Sequence, residues 1–155
     1  MHPYAAGIAA HDIERTIGML APDVVLHSPI LASYRFRGAP DVASVLSAAA
    51  AVVHEPEVVA DFGDDDRRLV GIRATVGARP IEITHLLRLD ESDQVSEIRL
   101  FVRPLPGLAA LLAGLGPRLA ARHSWARATI TRFATRPIAA IAPFYDRVAT
   151  RLVTR

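Results

Sequence analysis

The stretch from Ile81 to Pro104 constrains the fold of this chain more than any other part of the sequence. It contains two apolar runs, IEITHLLRL and VSEIRLFVRP, separated by the polar segment DESDQ. Apolar and β-branched residues on both sides of a short polar turn are typical of two antiparallel strands. The sequence therefore predicts strands at 81–89 and 95–103, with His85 in the first of them among apolar neighbours.

The remaining elements of the predicted domain precede this hairpin. Isoleucines at helical spacing indicate an N-terminal helix with a bend near Asp12, and Pro40 suits the first turn of an alanine-rich helix. Residues 30–38 read as an irregular connection. Helices followed by a run of antiparallel strands predict an α+β domain, with the helices packed on one face of a curved sheet. We place the helices at 3–20 and 40–54 and the additional strands at 23–28, 57–62 and 68–76.

The composition fits a single domain with a substantial apolar core. The chain has 155 residues, of which 51% are hydrophobic. No apolar run approaches the roughly 18 to 20 residues that cross a bilayer, and the N-terminus does not have the pattern of a signal peptide. The absence of cysteine excludes disulfides and thiolate metal sites. We therefore expect a soluble cytoplasmic protein.

Charge divides the chain into an acidic body and a basic tail. Residues 1–103 hold ten arginines and fifteen acidic residues, whereas residues 104–155 hold eight arginines and one aspartate. The asymmetry indicates an acidic body followed by a basic tail, which we take to be a helical segment at 105–155. We expect the tail to pack on the domain or on a partner.

The predicted tail has three apolar segments. Leucines between 108 and 115 form one apolar face, a second helix is predicted at 119–135, and an apolar stripe recurs between 138 and 152. Such helices can cover the mouth of a pocket, pack on a second subunit, contact an acidic partner or lie on an anionic membrane surface. Because the body is acidic and has no interleaved aromatic platform, nucleic acid is not an expected partner.

With this order of elements, residues 1–104 resemble the nuclear-transport-factor-2-like (NTF2-like) superfamily, which includes ketosteroid isomerases and SnoaL-like polyketide cyclases. The stretches HDIERTIGMLAPDVVLHSP and ITHLLRLDESDQVSEIRLFV carry the resemblance, together with the alanine-rich helix between them. The resemblance implies a cone-shaped roll whose inner wall includes the 81–103 hairpin.

The resemblance also implies site residues. In ketosteroid isomerases a tyrosine and a protonated aspartic acid donate hydrogen bonds to the substrate oxygen, and a second aspartate before a proline moves the proton. These positions fall on Tyr4, His85 and Ser28, the last of which precedes Pro29. Because general-base catalysis typically contributes about 10²- to 10⁴-fold in rate, a serine at the base position argues against steroid isomerisation by the usual route.

Period-two alternation assigns the faces of the strands. If His85 points inward, its strand mates Ile83 and Leu87 do so too, whereas His27 points outward. The inward set predicts an apolar pocket for a hydrophobic, carbonyl-bearing small molecule, with no metal and no cofactor. On the opposite face, Arg99 and Phe101 suggest a homodimer interface through the sheet. The predicted ligand-binding residues are Leu26, Ser28, Ile83, Leu87, Ile98, Leu100 and Val102.

Two classes of function remain open at this point. The first is an isomerase or cyclase that acts through an enolate, with His85 as the proton-transfer group, Tyr4 as the oxygen stabiliser and Ser28 as a positioning residue. The second is a non-catalytic ligand carrier or dimeric adaptor, in which His85 is bonded to a neighbour and Tyr4 anchors the first helix. Hydrolase, nucleotide-binding and dinucleotide-binding motifs are absent from the sequence.

Overall fold

The structure is a computed structural model that describes residues 1–30 and 34–120. It consists of helices packed against a curved six-stranded sheet. This arrangement confirms the predicted α+β class. The helices are α1 (Pro3–Ala9), α2 (Ile13–Ile17), α3 (Ala39–Ala50) and α4 (Leu105–Ala120). The strands are β1 (Leu20–His27), β2 (Arg35–Arg37), β3 (His54–Gly63), β4 (Arg67–Val76), β5 (Arg79–Leu89) and β6 (Val95–Arg103).

The sheet is mixed, with the strand order β2-β1-β6-β5-β4-β3. Neighbours from β3 to β6 pair antiparallel, as predicted, but β1 pairs parallel with β6, with Leu26 opposite Ile98. The prediction of a purely antiparallel sheet was therefore wrong for this pair. Side-chain alternation is the same in both strand directions, so it carries no information about direction.

Prolines lie within β1 and β3, so both strands begin before the starts predicted at 23 and 57. The first strand begins at Leu20 and passes through Pro22, where its register with β6 is irregular, and β3 includes Pro56 at the edge of the sheet. Strand proline is tolerated at edges and irregularities because no ladder hydrogen bond is lost there. The connection predicted at 30–38 contains β2, a three-residue edge strand too short to give an alternation signal.

The predicted bend in the N-terminal helical region separates α1 from α2. His11 has a positive φ of 57°, and the Asp12 carboxylate caps α2 by accepting a hydrogen bond from the Arg15 amide at 2.9 Å. Gly7 allows the two short helices to approach closely, because a β-carbon there would lie 2.8 Å from the Thr16 amide nitrogen. The bend turns α2 back toward the start of β1.

The core lies between the helices and the inner face of the sheet. The alternation predicted for β5 is confirmed, since Ile81, Ile83, His85, Leu87 and Leu89 are all buried. His27 points to the outer face, as expected, where its Nε2 lies 2.8 Å from a Glu97 carboxylate oxygen. From α3, the residues that join this core are Val42, Val45 and Leu46.

The helix α4 packs on the domain as the first part of the predicted tail. It continues through Pro117, beyond the leucine face predicted between 108 and 115, and it contacts α3 and the strands β4 to β6. The segments predicted at 119–135 and 138–152 lie largely or wholly outside the described residues. In the described part of the chain, no helix has the length and apolarity needed to cross a membrane.

Two glycines bring α4 close to the rest of the domain. A β-carbon at Gly107 would lie 2.8 Å from the Pro80 carbonyl oxygen, and one at Gly114 would lie 3.0 Å from a Val52 methyl group. A backbone carbonyl in a paired strand cannot move aside, whereas a valine side chain can shift slightly. The docking of α4 therefore depends more strongly on Gly107 than on Gly114.

We expect Gly107→Ala to lower the free energy of unfolding by about 1 to 2 kcal/mol, because the overpacking cost exceeds the gain in helix propensity. The measurement is urea unfolding of the full chain followed by circular dichroism. Gly114→Ala is the matched control in the same helix, and its effect should be smaller. Equal stability of the two variants would contradict the proposed close packing at Gly107.

Candidate functional site

A cavity of about 460 Å³ lies between the inner face of the sheet and the helices. Its walls are predominantly apolar, so water has few hydrogen-bond partners inside it. Aliphatic side chains from the helices include Ile8, Val45, Leu46, Leu111, Leu112 and Leu115. Apolar side chains from the strands include the aromatic Phe36 and the aliphatic Leu26, Ile72, Ile83, Leu100 and Val102.

Tyr4 and His85, the two residues predicted to be catalytic, are in direct contact at this cavity. Tyr4 lies on α1 and is fully buried, whereas His85 lies on β5 and retains 7% exposure. The Tyr4 Oη atom is 2.9 Å from the Nδ1 atom of His85, a hydrogen-bond distance, and the ring centroids are 5.8 Å apart. The two side chains therefore form a polar pair in apolar surroundings.

Burial keeps both members of the Tyr4–His85 pair neutral. It lowers the pKa of His85 to about 4, and it raises the pKa of Tyr4 well above its usual value. The physical cause is the same for both groups, because an environment of low polarity disfavours the imidazolium and the phenolate alike. Near neutral pH the cavity therefore contains a phenol and a neutral imidazole.

An ion-pair network at the start of α1 holds Tyr4 in place. The His2 imidazole caps the helix by accepting a hydrogen bond from the Tyr4 amide at 3.2 Å, and the His2 amide donates to Asp61 at 2.7 Å. Arg68 donates to the other oxygen of Asp61 at 2.6 Å. Burial alone would raise the pKa of Asp61, but the hydrogen bonds from Arg68 and His2 hold that pKa below its usual value. Through Asp61, the network joins α1 to β3 and β4.

Ser28 lies at the cavity, immediately after β1. Its hydroxyl oxygen accepts a hydrogen bond from the Ile30 amide at 3.3 Å, across the residue that follows it, Pro29. The cavity thus brings together Tyr4, Ser28 and His85, which the sequence had placed in one pocket. Four predicted apolar lining residues are also at its wall, namely Leu26, Ile83, Leu100 and Val102.

Leu87 and Ile98, predicted as ligand-binding residues, do not line the cavity. They lie opposite each other in the β5–β6 pairing, and both are almost fully buried in the packed core. The preceding inward pair along the hairpin, His85 and Leu100, still faces the cavity. Alternation correctly assigned their face, but it carries no information about how far along the strand the cavity extends.

Several lining residues were not identified from the sequence. The contribution of α3 was missed, as were Phe36 on β2 and the polar residues at the α1–α2 junction, His11, Asp12 and Thr16. The leucine stripe between 108 and 115 was the available signal for α4. It indicated a helix that packs on the domain, and three of the leucines in α4 that face the cavity are Leu111, Leu112 and Leu115.

We expect the stability of the wild-type protein to fall as the pH decreases from about 6.5 to about 4. In that window the unfolded chain binds a proton at His85 and the folded chain does not, because its folded pKa is about 4. The full contribution is about 3 kcal/mol, since one pKa unit corresponds to about 1.4 kcal/mol. Urea unfolding across this window should show a shallower pH dependence in His85→Gln than in the wild type.

The matched control for this measurement is His54→Gln, because His54 is exposed. Carboxylates titrate in the wild type and in both variants, so the difference between the curves of stability against pH reports the contribution of His85. If His85→Gln has the same pH dependence as the wild type, His85 is not neutral in the folded protein.

Comparison with known proteins gives matches at the level of structure alone. No family model matches the sequence, and no curated protein matches it. A steroid delta-isomerase from Pseudomonas aeruginosa is 26% identical, with a TM-score of 0.69 over 78% of this chain and 89% of that protein. An uncharacterised bacterial protein with a cystatin-like fold from Silicibacter pomeroyi DSS-3 is 24% identical, with a TM-score of 0.66 over 86% of this chain and 95% of that one.

An NTF2-like protein of unknown function from Cytophaga hutchinsonii is 10% identical, with a TM-score of 0.53 over 67% of this chain and 87% of that protein. At such identity the similarity concerns the fold alone. These matches and the sheet topology agree with the resemblance noted in the sequence. The chain therefore has the NTF2-like fold, which is the fold predicted from its sequence.

Proposed function

We propose that this protein binds a largely apolar small molecule that carries a carbonyl group. The observation that carries the proposal is the apolar cavity of about 460 Å³ with the buried Tyr4–His85 pair at its wall. Pockets for small molecules typically combine apolar walls with a few polar groups that fix the orientation of the ligand. Because the pair is neutral, a carbonyl oxygen suits this site better than a charged group does.

The proposed reaction class is isomerisation or cyclisation through an enolate. A neutral hydrogen-bond donor in a site of low polarity stabilises an oxygen that gains negative charge, which is the electrostatic requirement of enolate formation. The similarity to the steroid delta-isomerase of Pseudomonas aeruginosa supports this class. No metal or cofactor enters the proposal.

Ser28 favours a second candidate, a ligand carrier without turnover. The resemblance places the family's base at this position, and a serine hydroxyl needs another group to take its proton before it can act as a base. Assay of a β,γ-unsaturated keto steroid distinguishes the candidates. Conversion to the conjugated ketone supports the enzyme, whereas tight binding without conversion supports the carrier.

We expect Ala49→Leu to weaken binding of a fluorescent apolar ketone by about tenfold or more, because the added atoms enter the cavity and overpacking costs about 1 to 3 kcal/mol. Ala49 lines the cavity from α3. Ala51→Leu is the matched control, since Ala51 is exposed just after the same helix and does not line the cavity. Unchanged affinity in Ala49→Leu would place the ligand elsewhere.

We also propose that two copies of the chain associate through the outer face of the sheet. The central residue of the proposed interface is Phe101, which is 57% exposed. Arg99 and Arg103 flank it along β6. An exposed aromatic residue between arginines is a composition enriched at protein interfaces.

We expect Phe101→Glu to convert a dimer into a monomer, because the change removes the aromatic contact at the centre of the interface and replaces it with a carboxylate whose desolvation costs free energy. Light scattering coupled to size-exclusion chromatography measures the mass in solution. Leu105→Glu is the control, since Leu105 is similarly exposed but belongs to α4. A monomeric wild type, or a dimeric Phe101→Glu variant, would contradict the proposed interface.

A further inference from the structure

The second ring nitrogen of His85, Nε2, faces the cavity. Nδ1 is bonded to Tyr4, and Nε2 has no hydrogen-bond partner among the described residues. In the part of the chain that the structure describes, every side-chain nitrogen or oxygen that is fully buried has a hydrogen-bond partner. Because Nε2 has no such partner there, it must retain some accessible surface. His85 is only 7% exposed and lines the cavity, which is therefore where this surface opens.

The chemistry of the Tyr4–His85 hydrogen bond determines its direction. A phenol, with a pKa near 10, is a good donor, and an unprotonated imidazole nitrogen is a better acceptor than a phenolic oxygen. Burial keeps both groups neutral, so ionic forms do not compete. The Tyr4 hydroxyl therefore donates to Nδ1, and the single proton of the neutral imidazole resides on Nε2.

The Tyr4 hydroxyl itself is out of reach of a ligand. Tyr4 has 0% exposure, and its hydroxyl proton is used in the bond to Nδ1. A ligand in the cavity thus meets the N–H group of His85 and not the phenol. This differs from the sequence-based assignment, in which Tyr4 stabilised the oxygen and His85 transferred the proton.

We propose that Tyr4 holds His85 in the Nε2–H tautomer, so that His85 donates the hydrogen bond to the ligand oxygen and Tyr4 acts through it as a positioning residue. The assignment of the tautomer does not depend on the proposed function, whereas the role of His85 as a donor to the ligand rests on it. In this state His85 has no lone pair facing the cavity, and therefore it does not serve as a general base. Of the two proposed functions, this tautomer favours the ligand carrier over the isomerase or cyclase, because enolate formation requires a group that takes a proton from the ligand.

Ligand selectivity follows from this arrangement. An N–H group directed into an apolar cavity loses its hydrogen bond to water, and a ligand with an acceptor oxygen restores one. A ketone should therefore bind more tightly than a hydrocarbon of the same shape, by roughly threefold to tenfold. A cationic ligand gains nothing from a donor and is disfavoured.

Nitrogen NMR on isotopically labelled full-length protein tests the tautomer directly, because protonated and unprotonated ring nitrogens resonate far apart. The signals of His85 are identified by their absence in His85→Gln. Near neutral pH we expect a protonated Nε2 and an unprotonated Nδ1 in the wild type. In Tyr4→Phe this preference should decrease, and in Tyr34→Phe, at an exposed tyrosine, it should not change. A proton on Nδ1 in the wild type would overturn the proposal, and so would an unchanged spectrum in Tyr4→Phe.

Calorimetry with acetylnaphthalene, a ketone, and ethylnaphthalene, a hydrocarbon of similar shape, tests whether His85 donates a hydrogen bond to the ligand. The wild type should prefer the ketone by roughly threefold to tenfold. His85→Leu should lose this preference, and His85→Gln should retain part of it, because an amide supplies an N–H donor without acting as a base. Equal affinity for the two probes in the wild type would overturn the role of His85 as a donor. If neither probe binds, the proposed function and this ligand role fail together, and the NMR result still decides the tautomer.

Discussion

The buried hydrogen bond between Tyr4 and His85 connects parts of the chain that are 81 positions apart. One end lies on the first helix and the other on β5, a strand with neighbours on both sides. Both ends have independent support, from the Asp61 network at the start of α1 and from the ladders that β5 forms with β4 and β6. This support is what allows a polar pair to persist in apolar surroundings, because a buried donor or acceptor that loses its partner costs about 1 to 3 kcal/mol.

The same apolar surroundings determine the electrostatics of the site. His85 is buried in the wall of a cavity that the leucines of α4 and aliphatic residues of the sheet also line, and this burial lowers its pKa to about 4. A histidine with free access to water would be partly protonated near neutral pH and would repel cationic groups. The packing of α4 on the domain thus supplies part of the apolar wall of the cavity that His85 also lines.

Much of the fold could be predicted because it follows from local patterns. The strand at 95–103 has the predicted bounds, and the inward residues of β5 are buried as alternation requires. The short strand β2 escaped prediction because three residues at a sheet edge carry no periodicity. The parallel pairing of β1 with β6 escaped it because the direction of a neighbouring strand depends on the path of the whole chain.

For the site, the sequence by itself determined which residues face inward, since alternation and the resemblance placed Tyr4, Ser28 and His85 in one pocket. Only the tertiary structure decided that Tyr4 and His85 touch, that Leu87 belongs to the filled core, and that α3 and α4 close the cavity. The physical reason is the range of the interactions. Side-chain direction is a property of a few neighbouring residues, whereas depth, contact and desolvation depend on elements that are distant in sequence and meet only when the chain packs.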